Sequence, residues 1–294
     1  MTGFAELLYI FETTPWLYYT TAVLVGLCVG SFLNVVVYRL PIMMEREWKK
    51  ECHEFLELDE PEFDDYTRSL ALSVPRSACP KCGHMITAIE NIPVISWLFL
   101  RGKCSNCGTA ISARYPIVEA VTGLLTLVVA LQLGFTLQAL AVMFFTWCLI
   151  SLTLIDFDKQ LLPDQITLPL MWAGIVLSFW SVNVDVHSSL IGAIAGYMIL
   201  WTVFQVFRLI TGKEGMGFGD FKLLAALGAW CGYLLLPQII LISSLVGAVV
   251  GIGMMLFAGH ERMKPIPFGP YLAIAGWIAL LWGDQINAAY LGLL

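Results

Sequence analysis

Long apolar runs separated by short polar segments set the pattern of this chain. Trp16 to Tyr38 is an uncharged run of 23 residues, enough to cross ~30 Å of hydrocarbon. Arg39 and Pro41 mark its exit into water. Residues 40–115 are polar and form the one sizeable soluble part. Glu119 sits at the start of the next span, and Ala120 to Ile155 then gives 36 residues without a formal charge. That length predicts two helices, broken near Gly134. Asp156 to Asp164 is a short polar loop. Gln165 to Val184 and Val186 to Phe207 are further spans, with Asp185 and His187 at the turn between them. Residues 208–222 form a glycine-rich loop. Leu223 to Gly259 is free of charge over 37 residues and predicts a helical hairpin turning near Gly232 to Pro237. His260 to Lys264 is a polar loop, and Pro265 to Gly283 is the last span. The pattern predicts an all-α polytopic membrane protein of about eight transmembrane helices. A small domain lies between helices 1 and 2. The division is 16–38 as first helix, 39–115 as soluble domain, and 116–283 as a seven-helix membrane domain.

Composition agrees. The chain of 294 residues is 59% hydrophobic and 13% charged, with mean hydropathy +0.79. A soluble domain is nearer half apolar and a quarter charged. Met1 to Thr14 carries Glu6 and Glu12 but no basic residue, so it lacks the positive region of a cleavable signal. All 16 Lys and Arg fall within 39–115, 156–164, 208–222 and 260–264. Basic loops mark the cytoplasmic side. Both termini are therefore expected outside, with Asp156, Asp158, Asp164 and Asp220 at the cytoplasmic membrane face.

Candidate chemistry gathers in three places. Gly215-Met-Gly-Phe-Gly-Asp220-Phe-Lys222 alternates glycines with apolar residues and ends on a carboxylate before an apolar run. Glycine leaves backbone open to close approach, so a peptide could lie along this stretch. Asp220 is an ionisable residue at the edge of a span, a functional candidate. A solvated loop with a capping Asp is the plainer reading of the same residues. Asp156, at the end of the third span, lies on the same membrane face. Two carboxylates within reach of one water do not both ionise easily, and such a pair can serve as base and acid. Asp158 and Asp164 are rivals. Asp164 reads as a helix N-cap and Asp158, beside Lys159, as solvated or ion-paired. Glu119 either supports a site or anchors its own helix.

Cys79-Pro-Lys-Cys82-Gly and Cys104-Ser-Asn-Cys107-Gly are two knuckles 21 residues apart. Each CxxC turn brings two thiolates to one side of a metal, and two turns complete a tetrahedron. Cytoplasmic disulfides are disfavoured, so zinc is expected on Cys79, Cys82, Cys104 and Cys107. Four thiolates leave no open position, which makes the site structural. Cys28, Cys148 and Cys231 lie in spans as packing residues. Residues 43–66 hold ten acids against three bases, with a helical pattern from Glu45 to Leu58. They either keep the domain soluble or dock a basic peptide. No serine nucleophile elbow, HExxH, P-loop or Rossmann fingerprint is present, and no nucleic-acid partner is expected.

Together these motifs resemble the type IV prepilin peptidases, bifunctional leader peptidases and N-methyltransferases of bacterial inner membranes. The resemblance rests on Gly30-Ser-Phe-Leu-Asn-Val-Val-Val-Tyr-Arg-Leu-Pro41, the double CxxC, Glu90 to Lys103, Ile111 to Glu119, Ile155 to Asp164, Gly215 to Lys222 and Pro267-Phe-Gly-Pro-Tyr271. It implies cleavage of prepilins and pseudopilins of pilus and type II secretion systems, after a glycine that ends a short basic leader. Methylation of the new N-terminal amine from S-adenosylmethionine would follow. It maps the catalytic pair onto Asp156 and Asp220. It puts the methyltransferase in the soluble domain, with Gly102 and Lys103 in the implicated stretch. Two other classes fit less well. Presenilin-like GxGD proteases carry a Pro-Ala-Leu motif and no zinc knuckles. A transporter would place its carboxylates near mid-span, whereas these four lie in loops or at helix ends.

Overall fold

The computed structural model describes residues 9–11, 13–257 and 267–292. Helices account for nearly all of its regular structure, and two isolated β-bridges are the only strand pairing among the described residues. The expected loop His260 to Lys264 lies outside the described residues. The chain divides into two units, Met1–Ala139 and Leu140–Leu294.

In the first unit, helix α1 runs Pro15–Phe55, 41 residues. It does not end at Arg39 and Pro41 as expected. Proline costs one backbone hydrogen bond inside a helix, and here side-chain anchors offset it. Arg39 is 5% exposed, so it does not mark an exit into water. Its guanidinium donates to the carbonyls of Ala71, Leu72 and Pro75 at 2.9, 3.3 and 2.7 Å. Two turns on, Arg46 donates to Thr67, Arg68 and Leu70 carbonyls at 3.1, 3.2 and 3.0 Å. The acidic helix expected from Glu45 is therefore the far end of α1, with residues 67–75 strapped to its side. A short helix α2 (Asp65–Ser69) opens that strap, capped by Asp64 on the Thr67 amide. Helix α3 (Ile95–Phe99) is one turn in the loop that follows. Helix α4 (Arg114–Leu133) then packs along α1. The close approach needs glycine: a Cβ at Gly30 would lie 2.7 Å from the Glu119 backbone, and one at Gly26 2.9 Å from Gly123. Small residues let membrane helices meet in this way. Tyr18 donates to the carbonyl of Gly134 at 2.8 Å, where α4 ends at the predicted break.

The second unit is built around helix α8 (Phe218–Cys231). From Asp220 onward every residue except Lys222 is buried. A helix that is apolar all round is buried either in protein or in lipid, and here its surroundings are protein. Four helices enclose it. Helix α5 (Leu137–Lys159) supplies Phe145, whose ring packs tilted against buried Trp230 with centroids 4.8 Å apart. Helix α6 (Asp164–Ser178) accepts the Trp230 indole N–H on the Leu170 carbonyl at 2.8 Å. Helix α7 (Val186–Thr211) crosses α8 with Gly192 against Gly228, backbone to backbone. Ser189 donates to the Ala229 carbonyl at 2.8 Å in the same contact. Helix α10 (Gly269–Leu291) brings Gly276 against Leu227. Helix α9 (Leu236–Phe257) follows a 3-10 turn at Tyr233–Leu235.

Five segments are long and apolar enough to cross a membrane: α1, α4, α5, α7 and Tyr233–Met254. This is a multi-pass membrane protein, and five of the eight expected crossings meet those criteria. Helices α6 and α8, at 15 and 14 residues, fall short of the ~20 a span needs. Helix α10 has the length but carries Asp284 and Gln285.

Candidate active site and metal centre

Asp156 and Asp220 come together in the second unit. Asp156 projects from the last turn of α5 and is 5% exposed, and Asp220 from the first turn of α8 at 8%. The two carboxylates interact electrostatically. Gly217, the extended residue before α8, leaves open the space beside Asp220: a Cβ there would be 4.0 Å from Oδ2. Asp156 Oδ2 accepts the Gly269 backbone N–H at 3.0 Å. Leu162 packs against Gly219, the residue before Asp220, and against Gly269, whose amide Asp156 holds. A Cβ on Gly219 would fall 2.8 Å from Leu162 Cβ, and one on Gly269 3.1 Å from its Cδ2.

The rival carboxylates have other work. Asp164 is the first residue of α6 rather than its N-cap, which is Pro163. Its carboxylate pairs with Lys222 through both oxygens, at 2.8 and 2.7 Å. This pair ties the start of α6 to the start of α8, two residues past Asp220. Asp158 is exposed on the last turn of α5. Glu119, in the first unit, is 8% exposed and accepts the Val94 N–H at 2.7 Å. Val94 has φ +60°, so this bond holds a backbone shape that valine resists, and Glu119 serves as an anchor.

The cysteines of both knuckles converge. Their four Sγ atoms lie within 4.8 Å of one another. Cys79 and Cys107 are 3.8 Å apart, and Cys82 and Cys104 3.9 Å. A tetrahedron with zinc–sulfur bonds of 2.3 Å has an edge of about 3.8 Å, so the donor set fits zinc. The two knuckles repeat one local plan. Gly83 and Gly108, at φ +70° and +69°, close each turn by donating to Cys79 and Cys104 carbonyls, both at 2.9 Å. The isolated bridges Ala78–Met85 and Lys103–Ala110 flank them. The Thr109 hydroxyl and amide bring the Cys107 thiol down to about 6, which favours the thiolate a metal needs. Cys52 and His84 stay outside the cluster. His84 instead meets Glu90 at 3.3 Å. Glu90 also accepts from the Ser105 hydroxyl and from the Thr87 amide and hydroxyl, both at 2.8 Å. These bonds, Ser105 first, hold its carboxyl down at about 2. One carboxylate thus clasps the second knuckle to the segment after the first.

Gly102 and Lys103 open the second knuckle. Gly102 is buried at φ +66°, and a Cβ there would lie 2.8 Å from the Trp97 ring. Trp97 in turn donates to the Ile111 carbonyl at 3.1 Å. The need for glycine at 102 is therefore steric and conformational. Lys103 presents an exposed side chain. Gly102→Ala should cost about 1–2 kcal/mol from the left-handed backbone alone. Thermal unfolding and metal content should fall together, and unchanged values would show that neither the backbone nor the indole requires glycine at 102.

The sequence pattern offered Asp156, Asp220 and the four cysteines directly. It gave no role to Leu162, Lys222 or the Gly269 amide. The only sign of the last was the motif Pro267-Phe-Gly-Pro-Tyr271.

Residues 24–133 match the family model "Bacterial Peptidase A24 N-terminal domain", and residues 143–252 match "Type IV leader peptidase family". A prepilin leader peptidase/N-methyltransferase of Aeromonas salmonicida is 57% identical over 277 residues, 94% of this chain and 95% of the relative. One from Aeromonas hydrophila is 55% identical over 287 residues, 98% of each chain. One from Pseudomonas aeruginosa is 56% identical over 277 residues, 94% of each chain. No solved structure matches. With a buried aspartate on the GxGD helix and a second at the end of α5, a four-cysteine cluster, and identity above one half along almost the whole length, the chain belongs to the type IV leader peptidase family.

Proposed function

We propose that this protein removes the basic leader from type IV prepilins and pseudopilins and then N-methylates the exposed residue. The observation that carries the peptidase half is the meeting of two buried carboxylates, Asp156 and Asp220, at neighbouring helix ends. One carboxylate takes a proton from water as the oxygen attacks the scissile carbonyl carbon. The other, protonated, gives its proton to the leaving nitrogen as the carbon–nitrogen bond breaks. The pair has then exchanged roles, and water resets it. The open side at Gly217 gives a peptide backbone room beside Asp220.

The second activity belongs, on this reading, to the domain 39–115. S-adenosylmethionine supplies the methyl group when bound. Gly102 packs against Trp97 and supports the fold, whereas Lys103 offers an exposed ammonium suited to the donor's carboxylate. Zinc on Cys79, Cys82, Cys104 and Cys107 holds the domain together. The protein is taken as an inner-membrane enzyme with both termini periplasmic and the aspartate pair at the cytoplasmic face. All 16 basic residues on one set of loops support this.

Mass spectrometry of a prepilin incubated with purified protein in detergent tests both halves. Loss of the leader, plus one methyl group only when S-adenosylmethionine is added, is expected. An uncut prepilin with folded enzyme would overturn the peptidase.

The acidic end of α1 suits a basic leader, because Arg46 is tied to the 67–70 strap and to Glu47, and acids outnumber bases over residues 43–66 ten to three. Neutralising four of the exposed acids, Glu51, Glu54, Glu57 and Asp59, should raise KM about tenfold at low salt and flatten its salt dependence. Unchanged kinetics would leave the segment as a solubility device.

A further inference from the structure

We infer that Gly269 is a positioning residue for Asp156, acting through its backbone amide and through its lack of a side chain. The inference rests on the reading of Asp156 and Asp220 as the catalytic pair. Gly269 opens the 23-residue helix α10. A helix start leaves its first amides without partners inside the helix. Here they can all be accounted for. Tyr271 and Leu272 donate back to the Phe268 carbonyl at 3.1 and 3.2 Å. Pro270 has no N–H. The one remaining amide, that of Gly269, donates to Asp156 Oδ2 at 3.0 Å, across 113 residues of sequence. One carboxylate oxygen is thereby fixed in direction, which leaves the other for water.

The fit depends on residue 269 being glycine. A Cβ would lie 2.5 Å from Asp156 Oδ2, the oxygen that the amide holds, and 3.1 Å from Leu162 Cδ2. Leu162 cannot retreat freely, since it is 8% exposed and fills the space beside Gly219, next to Asp220. A side chain at 269 must therefore push either the carboxylate or Leu162, which in turn packs on Gly219 beside Asp220. Displacement of a reacting group by about 1 Å costs on the order of 100-fold in rate.

Gly276→Ala provides a matched control. It lies two turns down the same helix, and its Cβ would meet Leu227 Cδ2 at 2.5 Å, with no carboxylate involved. Both variants, wild type and Asp156→Asn are purified in detergent and compared for melting temperature, kcat and KM on a prepilin. The expected result for Gly269→Ala is a fall in kcat of about 100-fold with KM within about threefold. Gly276→Ala should lower the melting temperature while keeping kcat within a few-fold of wild type. Gly269→Ala with wild-type kcat, or with a loss no larger than that of Gly276→Ala, would overturn the inference. Cleavage by Asp156→Asn would instead overturn the reading of the aspartate pair, so the two failures are distinguishable.

Discussion

Purified Asp220→Asn protein should leave a prepilin uncut while remaining folded and inserted, and Asp156→Asn should behave alike. Asparagine keeps the shape of aspartate but neither takes nor gives the proton the reaction needs. General acid–base groups contribute 10²–10⁴-fold, and each cycle needs one of these as base and the other as acid. A loss of at least about 10³-fold is therefore expected from either change. Stability should not follow activity down. Both positions are buried, and a buried amide escapes the cost of ionising in a low-dielectric site. Melting temperature and gel-filtration profile should match wild type. Retained cleavage in both variants would remove the pair from the mechanism. Asp158→Asn, on an exposed turn, should cut at close to the wild-type rate.

The second large effect is expected at the cysteines. Between residues 71 and 113 only Gly102 and Cys104 are buried. A segment with so little apolar core does not hold a fold by burial, and small domains of this kind depend on metal or disulfides. The four thiols are free, with no disulfide among the described residues. Structural zinc supplies about 10–16 kcal/mol of apparent binding energy in comparable small modules. Metal analysis of the purified protein should give one zinc per chain. Cys79→Ser and Cys104→Ser should each lose most of it. Strong chelation should make residues 76–111 accessible to protease while the membrane helices stay protected. Metal-free protein with an ordered domain and full activity would exclude this role.

The two halves of the chain differ in how far their sequence can be read. The convergence of the four knuckle cysteines was legible, because the constraint is local. Two CxxC turns fix their own ligand geometry through short backbone bonds, and Gly83 and Gly108 take the shape each turn requires. The apolar runs likewise foretold α4, α5, α7 and the break at Gly134. Helix α1 was misjudged in length. Its continuation through Pro41 depends on Arg39 and Arg46 reaching carbonyls some 20 to 36 residues away, and no local pattern carries that information. Helix α8 read as half of a spanning hairpin, because apolarity looks the same facing lipid as facing protein. Only its neighbours make it the buried axis of the second unit.

The sequence by itself determined the chemistry: which residues can ionise and which can bind a metal. Those properties belong to residue types and short spacings. Only the tertiary structure decided which carboxylates meet. It set Asp164 apart on Lys222 and Glu119 on Val94, and it brought Asp156 to Asp220 with Leu162 packed on Gly219 and Gly269 and with the Gly269 amide on Oδ2. Contacts spanning 25 to 113 residues arise from elements packing on one another, and packing is fixed by shape across the whole unit rather than by any one stretch of chain.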